Sequence, residues 1–290
     1  LTFSRASLAT MYDAAGTLVT ASSGSPRLTY DPVTHAALGL LVEEQRTNLL
    51  LNSLLDGTNL STQSVTVAAT QYTLSFYGTG QIVLSGSATA TVVGTGAFPT
   101  QKTYTFTPSA GSLTLTVTGT VQFAQLEAGA FATSYIPTGA ASATRAADVV
   151  TCTGAAFSSW FNGTEGTLLD EFACAAMSNS PSGASLNGYG WNDNSTQALW
   201  WDGVANTATP STVAAGQARR QVVAWDAGGY SISANGSTPT TVAGRQPWPS
   251  ARSALQLGGI GSIQYINGPI KRVRYWRKRL TNAQLQALTA

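Results

Sequence analysis

From Asn48 to about Pro137, apolar and polar side chains alternate in short runs. Tyr72, Leu74 and Phe76 share one face of an extended chain, with Thr73, Ser75 and Tyr77 on the other. Tyr104 and Phe106 repeat this period of two, as do Leu113, Leu115 and Val117, and then Val121 and Phe123. Gly78-Thr-Gly80, Gly94-Thr-Gly96, Pro108-Ser-Ala-Gly111 and Gly119 break the runs where turns are needed. Short strands joined at this spacing predict a small jelly roll over residues 48–140.

A second β-region follows over 141–290. Gly166–Cys174, Arg219–Trp225, Gly229–Ser237, Ala254–Gly258 and Ile270–Trp276 read as strands. Asn235-Gly236 is a hairpin signal, because both residues tolerate positive φ. In the last strand Val273 and Tyr275 face one way, and Arg272 and Arg274 the other. Thr281-Asn-Ala-Gln284 has the form of a capping box, which predicts a short helix burying Leu285 and Leu288 at i, i+3. Residues 1–47 hold extended pieces between Gly and Pro punctuation and are expected to pack as strands on a neighbour, while 138–148 reads as a connector. Thr144-Arg-Ala146 echoes Ser4-Arg-Ala6, too short a match to make a repeat. The fold class is therefore all-β: tandem β-sandwich and jelly-roll modules with a short C-terminal helix.

Composition supports this. Apolar residues make up 43% of the chain and charged ones only 10%. The formal net charge is +2, yet six basic residues lie between Lys271 and Arg279, and the remainder carries nine basic against thirteen acidic residues. A protein that follows a phosphate backbone spreads its positive charge over a face, so no nucleic-acid partner is expected. Arg277, Lys278 and Arg279 stand at the positive end of the predicted helix, where the dipole gives them nothing, and read as a solvated corner. With no run of about 18 apolar residues, no membrane insertion is expected. The start, Leu1-Thr-Phe-Ser-Arg-Ala-Ser, lacks the form of a signal peptide, and its leading leucine points to further residues upstream.

Cys152 and Cys174 are the only cysteines and His35 the only histidine. Two thiols are too few for a thiolate metal site, and one histidine cannot build a His-ligated centre. The cysteines are expected to be free and buried, and His35, in Asp31-Pro-Val-Thr-His, to sit in a turn. No metal and no cofactor is expected.

Three stretches carry a resemblance. Asn235-Gly236, Leu255-Gln-Leu-Gly258, Ile270-Lys-Arg-Val-Arg-Tyr-Trp276 and Leu280-Thr-Asn-Ala-Gln-Leu-Gln-Ala-Leu288 together resemble the closing strands and final helix of concanavalin A-like (laminin G-like) lectin domains in bacteriophage and prophage tail proteins. Pro32–Leu51 and Gln122–Asp148 look like the junctions that flank a galactose-binding-like jelly roll in such proteins. The resemblance implies a virion tail appendage of fibre type, assembled in the host cytoplasm. Its implied partners are a bacterial surface polysaccharide or lipopolysaccharide and other virion tail proteins, with a homotrimer as the favoured oligomer. A different class remains open: a structural capsid or tail decoration protein whose modules bind other virion proteins.

Sugars are held by an aromatic ring face together with amides, carboxylates and guanidinium groups. All seven tryptophans lie after residue 159. The densest grouping, Tyr189-Gly-Trp-Asn-Asp-Asn194 followed by Trp200-Trp-Asp202, makes Trp191, Asn192, Asp193, Asn194 and Trp201 the candidate carbohydrate contacts, with Arg245 and Trp248 of Arg245-Gln-Pro-Trp-Pro249 beside them. The same residues could instead fill the sandwich and its turns. Asn192–Asn194 offer oxygens to calcium, but without EF-hand spacing. No catalytic residue is expected: Asp170 and Glu171 are neighbours on a strand, face opposite ways and cannot act as a glycosidase pair. Asp170 shares a face with Leu168, Phe172 and Cys174, so a structural salt bridge to Arg272 or Arg274 is expected.

Overall fold

The computed structural model describes residues 1–174, 184–186, 189–191, 197–212, 214, 216–248, 250–259 and 264–290. In the first part of the chain lie β1 (Thr2–Ser4), β2 (Ala9–Tyr12), β3 (Leu18–Ala21), β4 (Leu28–Tyr30), β5 (Ala37–Val42) and β6 (Arg46–Asn48). The middle part has β7 (Gln63–Val67), β8 (Tyr72–Tyr77), β9 (Gln81–Gly86), β10 (Ala90–Val93), β11 (Lys102–Phe106), β12 (Gly111–Thr118) and β13 (Gln122–Ala128). Then come β14 (Ala143–Arg145), β15 (Val149–Thr153), helix α1 (Ala155–Ser158), β16 (Gly166–Ala173), β17 (Ala184–Leu186), β18 (Tyr189–Trp191), β19 (Gln197–Trp201) and β20 (Asn206–Pro210). The chain closes with β21 (Ala218–Asp226), β22 (Gly229–Ala234), β23 (Thr240–Ala243), β24 (Ala254–Leu257), β25 (Gly268–Trp276) and helix α2 (Asn282–Thr289).

Two seven-stranded sheets form the larger sandwich, in the orders β1-β15-β24-β17-β18-β19-β20 and β23-β22-β21-β16-β25-β5-β4. Both are completed by the first 47 residues: β1 pairs with β15, and β5 pairs with β25 and carries β4 at the edge. The N-terminal β-segment is thus built into the C-terminal sandwich. Gly39 makes this possible. Its φ is +123°, and a Cβ there would stand 2.1 Å from the carbonyl oxygen of Ile270, so only glycine lets the two backbones close up. Between the sheets lie Val150, Leu186, Trp191, Trp200, Leu255 and Leu257 from one side and Val42, Phe172, Val223, Trp225 and Ile232 from the other.

The middle part is a smaller sandwich, β10-β9-β12-β7 against β11-β8-β13, with its own core of Leu74, Phe76, Ile82, Leu84, Leu113, Leu115 and Leu126. The alternation read from the sequence holds for Tyr72, Leu74 and Phe76 and for Leu113 and Leu115, which point into that core, but not for Phe123, where a bulge with positive φ turns the ring from Val121's side onto Tyr77 and Phe98. The chain enters this module through β6 and leaves it through β14, and these two strands pair with each other.

Residues 138–148 do more than connect. Arg145 donates to Glu43 at 2.5 Å, Arg27 reaches the same carboxylate at 2.8 Å, and Asp148 takes Arg5 at 3.0 Å and Arg27 as well. All five side chains are essentially out of water, and the echo between Ser4-Arg-Ala6 and Thr144-Arg-Ala146 marks two members of one buried ion network. Burial alone would raise the Glu43 carboxyl, but Arg145, Arg27 and the bonds from Ser134 hold it at about 2. Asn48 staples the neck beside it. Its Nδ2 donates to the carbonyls of Ala124 and Ile136, at 3.2 and 2.9 Å, and its Oδ1 accepts from the N–H groups of Leu50 and Leu126, both at 3.1 Å.

Several local expectations are met. Thr281 and Gln284 form the capping box of α2, and Leu285 is buried against Leu169, Val222 and Ala224 with Leu288 packed alongside. Asn235 and Gly236 both have positive φ. Cys152 and Cys174 are buried thiols, not joined in a disulfide. His35 lies in the turn after Asp31, whose Oδ1 accepts from the N–H groups of Val33 and Thr34.

Candidate functional site

The strand β19 sorts the tryptophans. Ala198 and Trp200 point inward, while Gln197, Leu199 and Trp201 point outward. Trp200 is fully buried, and its indole N–H donates to the carbonyl of Pro247 at 2.9 Å. Trp191 is the cross-strand partner of Trp200, shares its inward face and meets it edge-on at 5.3 Å. It is 0% exposed, so the expectation that Trp191 offers a ring to a ligand is corrected: cross-strand pairing takes it into the core. Trp248 is likewise a core residue. At 6% exposure it packs edge-on against Trp225 at 4.8 Å, and only its margin reaches an open hollow of about 510 Å³ bordered by Thr164, Gln246 and Ser250. Asn192, Asp193 and Asn194 lie outside the described residues.

Trp201 differs from its neighbours. It is 37% exposed on the outer face, and no other tryptophan is as open. Its cross-strand partners are Gly190 on one side and Asn206 on the other. The same row continues through Ser185, Gln256, Thr151 and Thr2, so Trp201 and Asn206 end a line of hydroxyls and amides across the whole sheet. Ser185 is covered, donating to the carbonyl of Gly259, whereas Asn206 is exposed on β20, the last strand of this sheet among the described residues.

The turn after Trp201 is held by Asp202, a residue the sequence reading did not single out. Its Oδ1 accepts from the N–H groups of Val204 and Ala205, at 2.8 and 2.9 Å, which leaves Val204 68% exposed at the tip. Its Oδ2 takes the Tyr230 hydroxyl at 2.8 Å and lies 2.7 Å from Nε of Arg245. Burial raises the Asp202 carboxyl, but the Ala205 N–H, the Tyr230 hydroxyl and Arg245 together bring it below the ordinary range. Arg245 is thereby tied to the hairpin that carries Trp201, with about a third of its side chain still in water. An Asp-Gly pair directly after the strand was the available signal for this turn.

The pairing expected of Asp170 is also corrected. In the register of β16 and β25, Asp170 stands opposite Val273 and Glu171 opposite Arg272, and cross-strand partners share a face. Arg272 therefore bonds Glu171 at 2.6 Å, with Arg220 and Lys271 at 3.5 and 3.6 Å from the same carboxylate. Arg274 lies over the ring of Trp276 at 5.2 Å. Asp170, facing inward, accepts from Gln221 Nε2 at 3.1 Å. Of the corner residues, Arg277 and Lys278 are exposed to water as expected, while Arg279 is half-buried and reaches Asp226 at 3.2 Å. Among the described residues no cluster of three or more His, Cys, Asp or Glu side chains is placed to hold a metal ion.

No family model and no curated protein matches this chain. Solved structures overlap part of it. The CBM40 of the Ruminococcus gnavus IT-sialidase is 17% identical with a TM-score of 0.37, over 44% of this chain and 84% of that one. The native heptameric SAP-like pentraxin from Limulus polyphemus is 13% identical with a TM-score of 0.32, over 43% and 70%. Trypanosoma rangeli sialidase is 16% identical with a TM-score of 0.36, over 44% of this chain and 22% of that one.

Proposed function

We propose that this protein is a non-catalytic glycan-recognition part of a bacteriophage tail appendage, and that Trp201 is its ring platform. The observation that carries the reading is the placement of Trp201: an open indole on an outer sheet face, with the amide of Asn206 beside it and Arg245 tied to the same hairpin through Asp202. An aromatic face takes the C–H side of a sugar ring, while an amide and a guanidinium group satisfy its hydroxyls. Opposed directions of Asp170 and Glu171 on β16 suit recognition rather than hydrolysis, because the two carboxylates cannot flank one bond. The virion location, the tail partners and the trimer are inferences from the sequence resemblance. The ligand in this reading is a bacterial surface polysaccharide or lipopolysaccharide.

The test is a binding assay of the purified chain on a panel of host polysaccharides and lipopolysaccharides, wild type beside Trp201→Ala. Loss of binding in a variant that melts like wild type supports the platform. If the assembled wild-type protein binds none of them, the exposed Trp201 and Val204 are better read as a contact with another virion protein, and the structural role takes over.

A further inference from the structure

A second site lies far from Trp201 in the fold. A cleft of about 410 Å³ opens where the β2–β3 hairpin, β4 and β5, the middle module and the Asn267–Pro269 stretch of the sandwich meet. Its volume falls in the lower part of the range, roughly 300–1,000 Å³, usual for small-molecule sites. Part of its wall is apolar, from Met11, Leu18, Leu38 and Pro269; the rest is phenolic and polar, from Tyr12, Tyr30, Asp31, Tyr77 and Gln101.

The polar groups are held in place. The hydroxyls of Tyr12 and Tyr77 bond each other at 2.8 Å, and both rings pack on Phe98, at 5.7 and 5.2 Å. One hydroxyl of such a pair donates to the other, which leaves a single O–H to offer a ligand. Asp31 uses Oδ1 for its own turn, so Oδ2 remains as an acceptor. Among the described residues no lysine or arginine lines the cleft. Its other carboxylate, Glu43, is already matched by Arg27 and Arg145. The carboxylate left without an arginine or lysine partner among the described residues is Asp31, at the open side beside His35, so an entering anion meets some repulsion and no guanidinium or ammonium group.

We infer that this cleft binds an uncharged saccharide unit carrying an apolar substituent, such as a 6-deoxy or N-acetyl sugar. The half-buried rings of Tyr12 and Tyr30 take the ring face, Asp31 and the Tyr12–Tyr77 hydroxyl pair meet hydroxyls, and the Met11–Leu18–Leu38 wall takes the methyl or acetyl group. The site goes beyond the Trp201 platform and has its own ligand class.

The test is titration of the full chain, followed by saturation-transfer NMR, with methyl rhamnoside and N-acetylglucosamine as neutral probes and N-acetylneuraminic acid and glucose 6-phosphate as acidic ones. Three variants are compared with wild type: Tyr30→Ala, Gln101→Ala and Trp201→Ala. Tyr30 is half-buried and Gln101 exposed, and neither makes a side-chain hydrogen bond with the described residues, so both replacements are expected to leave the fold intact, as a melting curve checks. The expected result is binding of a neutral probe that weakens at least tenfold in Tyr30→Ala and severalfold in Gln101→Ala, and is unchanged in Trp201→Ala. Equal affinity in wild type and both rim variants overturns the inference, as does preference for the acidic probes or the absence of any neutral-sugar signal. A protein whose polysaccharide binding fails in Trp201→Ala while the neutral probe still titrates separates the two sites.

Discussion

Arg145 donates to Glu43 at 2.5 Å across 102 residues of chain, with neither side chain in contact with bulk water to any useful extent. Removing one partner of such a pair leaves the other charge buried alone, which costs about 3–5 kcal/mol. Glu43→Gln is expected to lose that much in urea unfolding. A loss below about 1 kcal/mol would mean that water or a neighbour replaces the carboxylate freely.

The same carboxyl sets an acid limit. Its folded value of about 2 lies below the ordinary 4.5, so its contribution is fully present above pH 4.5 and is lost as the pH falls towards 2. Linkage puts the loss at roughly 3 kcal/mol over that window. Unfolding curves at pH 5, 3.5 and 2.5 should show the decline in wild type and a much flatter dependence in Glu43→Gln.

Trp191 and Trp201 should behave as opposites. Trp191→Ala opens a cavity in the sandwich and is expected to destabilise by about 3–5 kcal/mol. Trp201→Ala is expected to change stability by under about 1 kcal/mol while removing glycan binding. Thermal melts beside the polysaccharide assay check both; equal melting of the two variants would contradict the assignment of faces.

The sandwich should not survive separation from the start of the chain. Residues 141–290 alone lack β1, β4 and β5, and Arg145 and Asp148 lose Glu43, Arg5 and Arg27. Expressed by itself, this piece is expected to aggregate or to show the narrowly dispersed amide NMR spectrum of an unfolded chain. A well-dispersed spectrum would show that the N-terminal strands are dispensable.

Gly39→Ala tests the attachment of those strands directly. A methyl group in a left-handed backbone, aimed at the Ile270 carbonyl, is expected to cost well over about 1 kcal/mol and to expose the β5–β25 amides to hydrogen exchange.

What could be read from the sequence was whatever is local. Period-two alternation located the strands of the middle module, and Thr281 with Gln284 located the final helix, because both depend on neighbours within a few residues. Partners far along the chain were not readable. Asp170 was correctly placed on the Leu168 face, but its opposite number depends on the β16–β25 register, which no local pattern fixes. Trp191 stands next to an Asn/Asp run that looks like surface, yet its strand pairs it with Trp200 in the core. The ion network was hidden for the same reason, although Glu43, Arg145 and Asp148 all fall within the two junction stretches that carried the resemblance.

Thr47 and Thr144 face each other in the β6–β14 pair, their hydroxyls 2.8 Å apart, at the point where the chain leaves the large sandwich and returns to it. Paired residues of this kind have Cα atoms about 5 Å apart. The doorway is therefore narrow and fixed, and the module beyond it is tied back to it by few groups, chiefly Ser134 on Glu43 and the Ala124 and Ile136 carbonyls on Asn48. Another module whose ends lie equally close could replace residues 49–142 without asking the host sandwich to re-form a single strand. Such an exchange would redraw the cleft walled by Tyr77 and Gln101 and leave the Trp201 face as it is.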